Sequence, residues 1–413
     1  MLDIAVIRQN PELIKKSAES RNATVSVDEL LDVDARVRAI QSEVDALRHD
    51  LKSRSKGKPS DEERTVLQAL SHSIKEKESV LSVDETRRTE LLMQLPNIND
   101  PETPIAATEE GNIVISRGGD MPQFDFEPLP YHELPSVRPF IKCEEGARTS
   151  GSRFYYLTGP IAELQRAVFR AASDLIAAEG FGLVIPPLLV RERAMYGTGH
   201  FPADRFEIYR VNPTEDDLYL VGTAEVPLVS LHDSETFDEA DLPKMYMAET
   251  TCFRREAGSY GKDQAGILRV HQFQKVEMVA FVTPENSHEM HMRIRAIEEK
   301  VVAAFGLHYQ MVDICTGDLG YPASRKFDIE AWFPSQKKYR ELTSTSNTTD
   351  YQARRLGIHF KGAGGRELVH TVNGTGVTDR LWLAILEQYQ TVDGSVKLPS
   401  ILKNYLSWDT LKS

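Results

Sequence analysis

The chain has 413 residues, 41% hydrophobic and 27% charged, which leaves room for two domains and a sizeable core. Its 49 Lys and Arg stand against 62 Asp and Glu, a net charge of -13. That balance argues against diffuse binding to nucleic acid or anionic membrane and leaves only local basic patches.

The first elements in chain order are helical. Leu30, Val33, Val37, Ile40, Val44, Leu47 and Leu51 follow at steps of three and four, a heptad seam between charged flanks. Gly57 and Pro59 stop that helix, and Ser60 with Glu63 reads as a capping box opening the next. The second helix carries Leu67, Leu70, Ile74, Leu81, Leu91 and Leu95, interrupted by Lys77, Asp84 and Arg88, and ends before Pro96. Two long helices joined by a short turn lie antiparallel. At about 30 residues each is roughly 45 Å long, so the hairpin is expected to project as an arm. Arg48, Lys52, Arg54, Lys56 and Lys58 cluster near its tip with Asp50 opposing them. A polyanion contact, a dimerising coiled coil and a solvated charge run all fit that pattern.

From Pro96 to about Pro130 the chain is rich in Pro, Asn, Asp and Gly and reads as a linker and domain edge. Helical patterns at 161–179, 285–305 and 380–390 then alternate irregularly with strand-like runs at 218–222, 245–254, 267–281, 308–314, 327–333 and 338–344. Hairpins outnumber βαβ units, so the expectation is an α+β domain with helices on an antiparallel sheet. The most apolar stretch, 183–190, is broken by Pro186 and Pro187. No run reaches the ~18 apolar residues of a membrane span, and MLDIAVIRQN has no signal-peptide shape. Cys143, Cys252 and Cys315 are too dispersed for a disulfide framework or zinc site, and a reduced, cytoplasmic compartment suits them. His288 and His291, a helical turn apart, read as an exposed helix face rather than a metal pair.

The run from Phe253 to Glu277 is the most informative. Arg254 and Glu256 lie two apart, a turn-rich stretch follows, and Arg269, His271, Phe273, Lys275 and Glu277 recur at two-residue spacing. On a strand all five share one face. A solvated mixed-charge hairpin is one account; the aromatic ring among the charges favours a platform for a base, phosphates and a small ammonium.

With GTGHFP at Gly197–Pro202, GTAEVPL at Gly222–Leu228, CTGDLG at Cys315–Gly320, YRELTSTSN at Tyr339–Asn347, YQARR at Tyr351–Arg355 and HTVNGTG at His370–Gly376, the whole chain resembles the seryl form of class II aminoacyl-tRNA synthetases, of the bacterial or mitochondrial type. The resemblance implies a helical tRNA-binding arm over 1–105 and a class II catalytic domain over 106–413. It implies activation of L-serine by ATP with Mg2+, and transfer to a serine tRNA with a long variable arm, by a cytoplasmic homodimer. Selenocysteine tRNA stays open as a second acceptor. A specialised paralogue, activating serine for a biosynthetic pathway or for inhibitor resistance, is the alternative.

Residue by residue, the resemblance makes Arg254 the bridge between serine carboxylate and α-phosphate, Glu256 the reader of the adenine amino edge, and Phe273 the stacking plate. Arg269 and Arg380 would hold outer phosphates, with Arg255 and the Val270 backbone as further ATP contacts. Glu341, Leu342, Thr343 and Ser344 form the ATP segment, Glu341 and Ser344 being the magnesium ligands. Thr223, Ala224, Glu225 and Glu277 would surround the serine ammonium, and Thr375 with Asn373 its hydroxyl. Arg48, Lys52, Arg54, Lys56 and Lys58 would contact tRNA. Two features depart from the family pattern. Asn373 to Arg380 is one position short, a change of about 100° on a helix, and Ala265 stands where many members carry Arg.

Overall fold

Serine side chains begin both long helices of the N-terminal hundred residues. In the computed structural model, which describes residues 1–56, 60–257 and 265–412, α1 (Ile4–Gln9) and α2 (Pro11–Ser20) precede α3 (Val27–Arg54) and α4 (Asp61–Met93). Ser26 Oγ accepts from Glu29 N at 3.1 Å. Ser60 and Glu63 close the expected reciprocal box, at 2.7 and 3.2 Å, satisfying N–H groups that a helix start leaves unpaired. Gly57, Lys58 and Pro59 lie outside the described residues.

The α3 seam buries Leu30, Val33, Val37 and Val44 against Ile74, Leu81 and Leu91 of α4. The polar residues that interrupt the α4 repeat are cross-helix partners. Lys77 pairs with Glu43, Asp84 with Arg36 at 3.0 Å, and Arg88 with Asp34 at 3.3 Å. Rising numbers on α3 meet falling numbers on α4, so the helices are antiparallel. Asp34 is fully buried and also takes Arg8 and Arg38. The basic cluster is more neutralised than its sequence suggests: Arg48 pairs with Glu78 and Arg54 with Asp50, both at 2.7 Å. Lys52 and Lys56 are exposed.

These helices belong to a unit spanning Met1–Ile98, and Asn99–Ser413 forms a second. The second is built on an eight-stranded sheet: β1 (Ile113–Gly118), β2 (Gly182–Leu183), β3 (Lys244–Phe253), β4 (Gln272–Val282), β5 (Tyr309–Asp313), β6 (Arg325–Phe333), β7 (Lys338–Thr349) and β8 (His370–Thr378). The order is β1-β5-β6-β7-β8-β4-β3-β2, antiparallel except for the β2–β3 pair. The presumed linker therefore contributes an edge strand, β1. HTVNGTG, read only as a motif, forms β8 at the centre of the sheet. The run expected from 267 begins pairing only at Gln272, and the one expected to end at 344 continues to Thr349.

Alternation along β4 divides the sheet's surroundings. Val276, Met278, Ala280 and Val282 join a core with α5 (Gly159–Ala178), α7 (Ser287–Ala304) and α9 (Asp379–Gln388). Each buried aliphatic side chain there contributes about 1.5–3 kcal/mol. On the opposite face, Val279 and Phe281 are covered by α6 (Glu225–Ser230) and α8 (Tyr351–Leu356). Lys275 and Glu277, further along that face, stay clear of both cores. His291 on α7 departs from the exposed reading: it is 1% exposed, with Nε2 3.2 Å from the Thr345 carbonyl and its ring against Phe327. His288 is exposed.

Candidate active site

β3 and β4 pair from Phe253 opposite Gln272 to Lys244 opposite Phe281, but both ends of the hairpin correct the strand-face argument. β3 stops at Phe253, so Arg254 and Glu256 share no strand face. Glu256 has φ of 51°, a left-handed turn uncommon for a side-chain-bearing residue. Arg269 and His271 precede β4. The turn still directs Arg254, Glu256 and Arg269 into one cleft of about 380 Å³, beside Val270, Phe273, Lys275 and Glu277, a size suited to a small-molecule site. His271 is not among its lining residues. Its Nδ1 lies 2.9 Å from the Arg254 carbonyl, and its ring packs beside Phe154 and Tyr209. Residues 258–264 lie outside the described residues, and Ala265 is exposed.

At one end Arg269 donates to Glu256 at 2.6 Å, and the Arg254 guanidinium stands 5.3 Å from the Phe273 ring centre. Tyr131 Oη accepts from Ile267 N at 2.6 Å and pins the returning chain. Arg255 is exposed and outside the cleft, its N–H bonded to the Glu207 carbonyl at 2.8 Å.

Glu341 and Ser344 face the cleft together, although strict alternation would separate residues three apart. The cause is a bulge. Ile329 of β6 pairs with Thr343 while Glu330 pairs with Glu341, leaving Leu342 as an extra residue. Leu342 also touches the cleft. Thr343 does not; its hydroxyl donates to buried Glu298 at 3.1 Å on the helical side. Arg380 donates to the Glu341 carbonyl at 2.9 Å, with the carboxylate 3.5 Å away. The short Asn373–Arg380 connection is absorbed directly, since β8 ends at Thr378 and α9 starts at Asp379. Asp379 is held by Gln274 N, Gln165, Trp382 and Tyr155.

The other end holds the small polar groups. The Glu277 carboxylate contacts Lys275 and accepts from Thr375 at 3.4 Å. Burial pushes its proton affinity up, Lys275 opposes that, and Glu225 reinforces it, for a net rise. Thr223 lines the cleft and its hydroxyl accepts from Glu225 N at 3.2 Å, an ordinary turn bond just before the helix. Ala224 is fully buried in the core beneath α6 and does not line the cleft. Asn373 spends a donor on Glu225 Oε1 at 3.0 Å, and Gln352 donates to the same oxygen at 2.6 Å. Burial opposes the Glu225 charge, but His200, Gln352 and Lys275 outweigh it and hold the carboxyl below its usual range.

Several lining residues carried no assigned role in the sequence. Lys326 reaches the cleft, 3.0 Å from Asp328; their i, i+2 spacing on a strand was the available signal. Asp328 is pushed up to about 7 by burial, against Lys326 and with Glu341. Glu341, about half exposed, is held below the usual range because Lys326, Arg380, Arg254 and Lys275 outweigh its partial enclosure. His200, within GTGHFP, sits between Asp204 and Glu225, and these carboxylates overcome burial to raise it to about 9. Among the described residues no group of three or more His, Cys, Asp or Glu could hold a metal ion. No helix among them is long and apolar enough to cross a membrane. The three cysteines are free.

Residues 1–99 match the family model of the seryl-tRNA synthetase N-terminal domain. Residues 206–389 match that of the class II tRNA synthetase core domain for G, H, P, S and T. The serine–tRNA ligase of Nocardia farcinica is 43% identical over 100% of this chain and 99% of its own. The seryl-tRNA synthetase of Pyrococcus horikoshii, solved with ATP, superposes with a TM-score of 0.94 at 37% identity, over 100% of this chain and 99% of that one. The cytoplasmic serine–tRNA ligase of Naegleria fowleri, solved with AMP, gives 0.89 at 32%, with the same coverage. Full-length identity above 40% and a shared fold in both units place the chain in a single family: it belongs to the seryl-tRNA synthetases.

Proposed function

We propose that this chain activates L-serine with ATP to seryl-adenylate and transfers the seryl group to serine tRNA. One observation carries the reading. A single cleft joins an aromatic and arginine end (Phe273, Arg254, Arg269, Arg380) to an acidic and hydroxyl end (Glu225, Glu277, Thr223, Thr375). The serine carboxylate oxygen attacks the α-phosphorus, a new O–P bond forms, and pyrophosphate leaves. A tRNA terminal hydroxyl then takes the seryl carbonyl and releases AMP. The first step needs little proton transfer, so positioning and charge neutralisation supply the rate.

Arg254 would bridge carboxylate and α-phosphate with its planar fork, Glu256 would read the adenine amino edge, and Phe273 would stack on the base. Arg269 and Arg380 would hold the outer phosphates. Glu341 and Ser344 offer one carboxylate and one hydroxyl on the same wall, a donor set that fits a magnesium ion completing its shell with water and phosphate oxygens. Such an ion neutralises the phosphate chain. Glu225 and Glu277 would hold the serine ammonium, and Thr375 its hydroxyl. Asn373, already donating to Glu225, would act mainly by orienting that carboxylate. Lys52, Lys56 and the neighbouring Arg48, Arg54 and Lys58 would meet the tRNA, and two copies of the chain would form the working dimer in the cytoplasm. The test is serine-dependent exchange of pyrophosphate into ATP with magnesium, followed by charging of purified serine tRNA. Exchange with serine but not alanine is expected, and its absence would sink the reading.

A further inference from the structure

His200 stands between two carboxylates, one of which the proposed activity reserves for another cation. The Glu225 carboxylate is committed on one side only. Oε1 accepts from Gln352 Nε2 at 2.6 Å and from Asn373 Nδ2 at 3.0 Å. Gln352 is itself immobilised, since the same Nε2 donates to the Thr198 carbonyl at 3.0 Å and its Oε1 accepts from Thr371 at 2.8 Å. Oε2 faces His200 Nε2 at 3.8 Å, an ion-pair rather than hydrogen-bond separation. That Nε2 is buried without a hydrogen-bond partner, while Nδ1 lies 3.4 Å from Asp204. Asp204 comes from the histidine's own loop and Glu225 from α6. Lys275, Glu277, Arg254, Glu256 and Arg269 line the same cleft from the β3–β4 hairpin.

We propose that His200 is a positioning residue, a resident counter-ion that occupies the charge partner of Glu225 Oε2 until the substrate ammonium replaces it. This rests on the reading of Glu225 as an ammonium-binding residue. Two cations close to one oxygen repel, so the imidazolium must withdraw from Oε2 or give up its proton as serine enters. Once displaced, it keeps Asp204 as a partner. Binding of serine is thus an exchange of one cation for another, not the filling of a naked carboxylate.

The sign of the effect separates this from an ordinary structural role. In His200→Gln, serine has no cation to displace, so its KM in pyrophosphate exchange should fall by about threefold or more, with the ATP KM unchanged within about twofold. The ligand-free variant should melt lower than the wild type and recover more of that loss on adding serine. His200→Lys, whose charge is retained, should raise the serine KM by about tenfold. A serine KM that rises in His200→Gln, or a melting loss equal with and without serine, overturns the proposal. If His200→Gln does not fold, a serine KM unchanged or lowered in His200→Lys overturns it. Wild-type protein without serine-dependent exchange would fail the activity itself. Wild-type exchange with the wrong sign in the variants would fail His200 alone.

Discussion

The helical hairpin and the cleft both hold paired charges, but under opposite conditions. Along α3 and α4 the pairs Lys77–Glu43, Arg36–Asp84 and Arg87–Glu29 sit at the margin of an apolar seam, and at least one member of each is exposed. Asp34 is the buried exception, shared by three arginines. In the cleft, Lys275 and Glu277 keep only 8% and 2% of their side-chain surface. Exposed pairs stabilise little and mainly set partner and direction. Buried ones cost desolvation and persist because each charge is answered. The exposed pairs of the hairpin are therefore expected to tolerate charge loss, whereas charge loss in the cleft is expected to cost both fold and chemistry.

The sharpest break of that contrast is Glu277→Ala, which strands the buried Lys275 ammonium. It should cost about 3–5 kcal/mol in chemical denaturation and abolish serine-dependent exchange. A milder result would mean water already solvates Lys275. Next is pH. His200 is raised to about 9, so its charged form stabilises the native state fully below about 6.5, and that contribution fades as pH climbs through 9. Wild-type stability should fall by roughly 2–3 kcal/mol over that window, and His200→Gln should lack this component of the slope. The smallest effect belongs to Lys77→Ala on the hairpin, where the melting temperature should move by less than about 1 °C. A larger shift would show that the seam depends on its polar interruptions.

Much of this contrast was legible in the chain. The three-four spacing from Leu30 to Leu51 announced α3, and Ser60 with Glu63 announced α4, because caps and heptads are local. The ion pairs that fill the α4 interruptions were not legible, since each needs its partner across the hairpin. In the cleft, the matching motifs named Arg254, Glu256, Phe273, Glu341 and Thr375, which line one space, but period-two reasoning was a poor guide to why. Arg254 and Glu256 reach the cleft through a left-handed turn, and His271 leaves the row for the Arg254 carbonyl and the rings of Phe154 and Tyr209. Arg255, Thr343 and Ala224 travelled with their motifs yet face elsewhere, one to solvent and two to the interior. His200 and Gln352 lie within matched motifs, but only tertiary packing brings them to Glu225.

The extra residue at Leu342 has a consequence for how this site tolerates change. A pleated strand keeps parity: even and odd positions look to opposite sides, and any gain or loss of one residue swaps them. By spending one unpaired position, β7 joins an odd-numbered carboxylate to an even-numbered hydroxyl on the same wall. Deleting Leu342 would leave Glu341 and Ser344 two positions apart on a regular strand and so still on one side, whereas an added β6 residue pairing with Leu342 would send one of them toward the side where Thr343 meets Glu298. What holds the carboxylate and the hydroxyl together is therefore that the position between them stays unpaired, not which residue fills it.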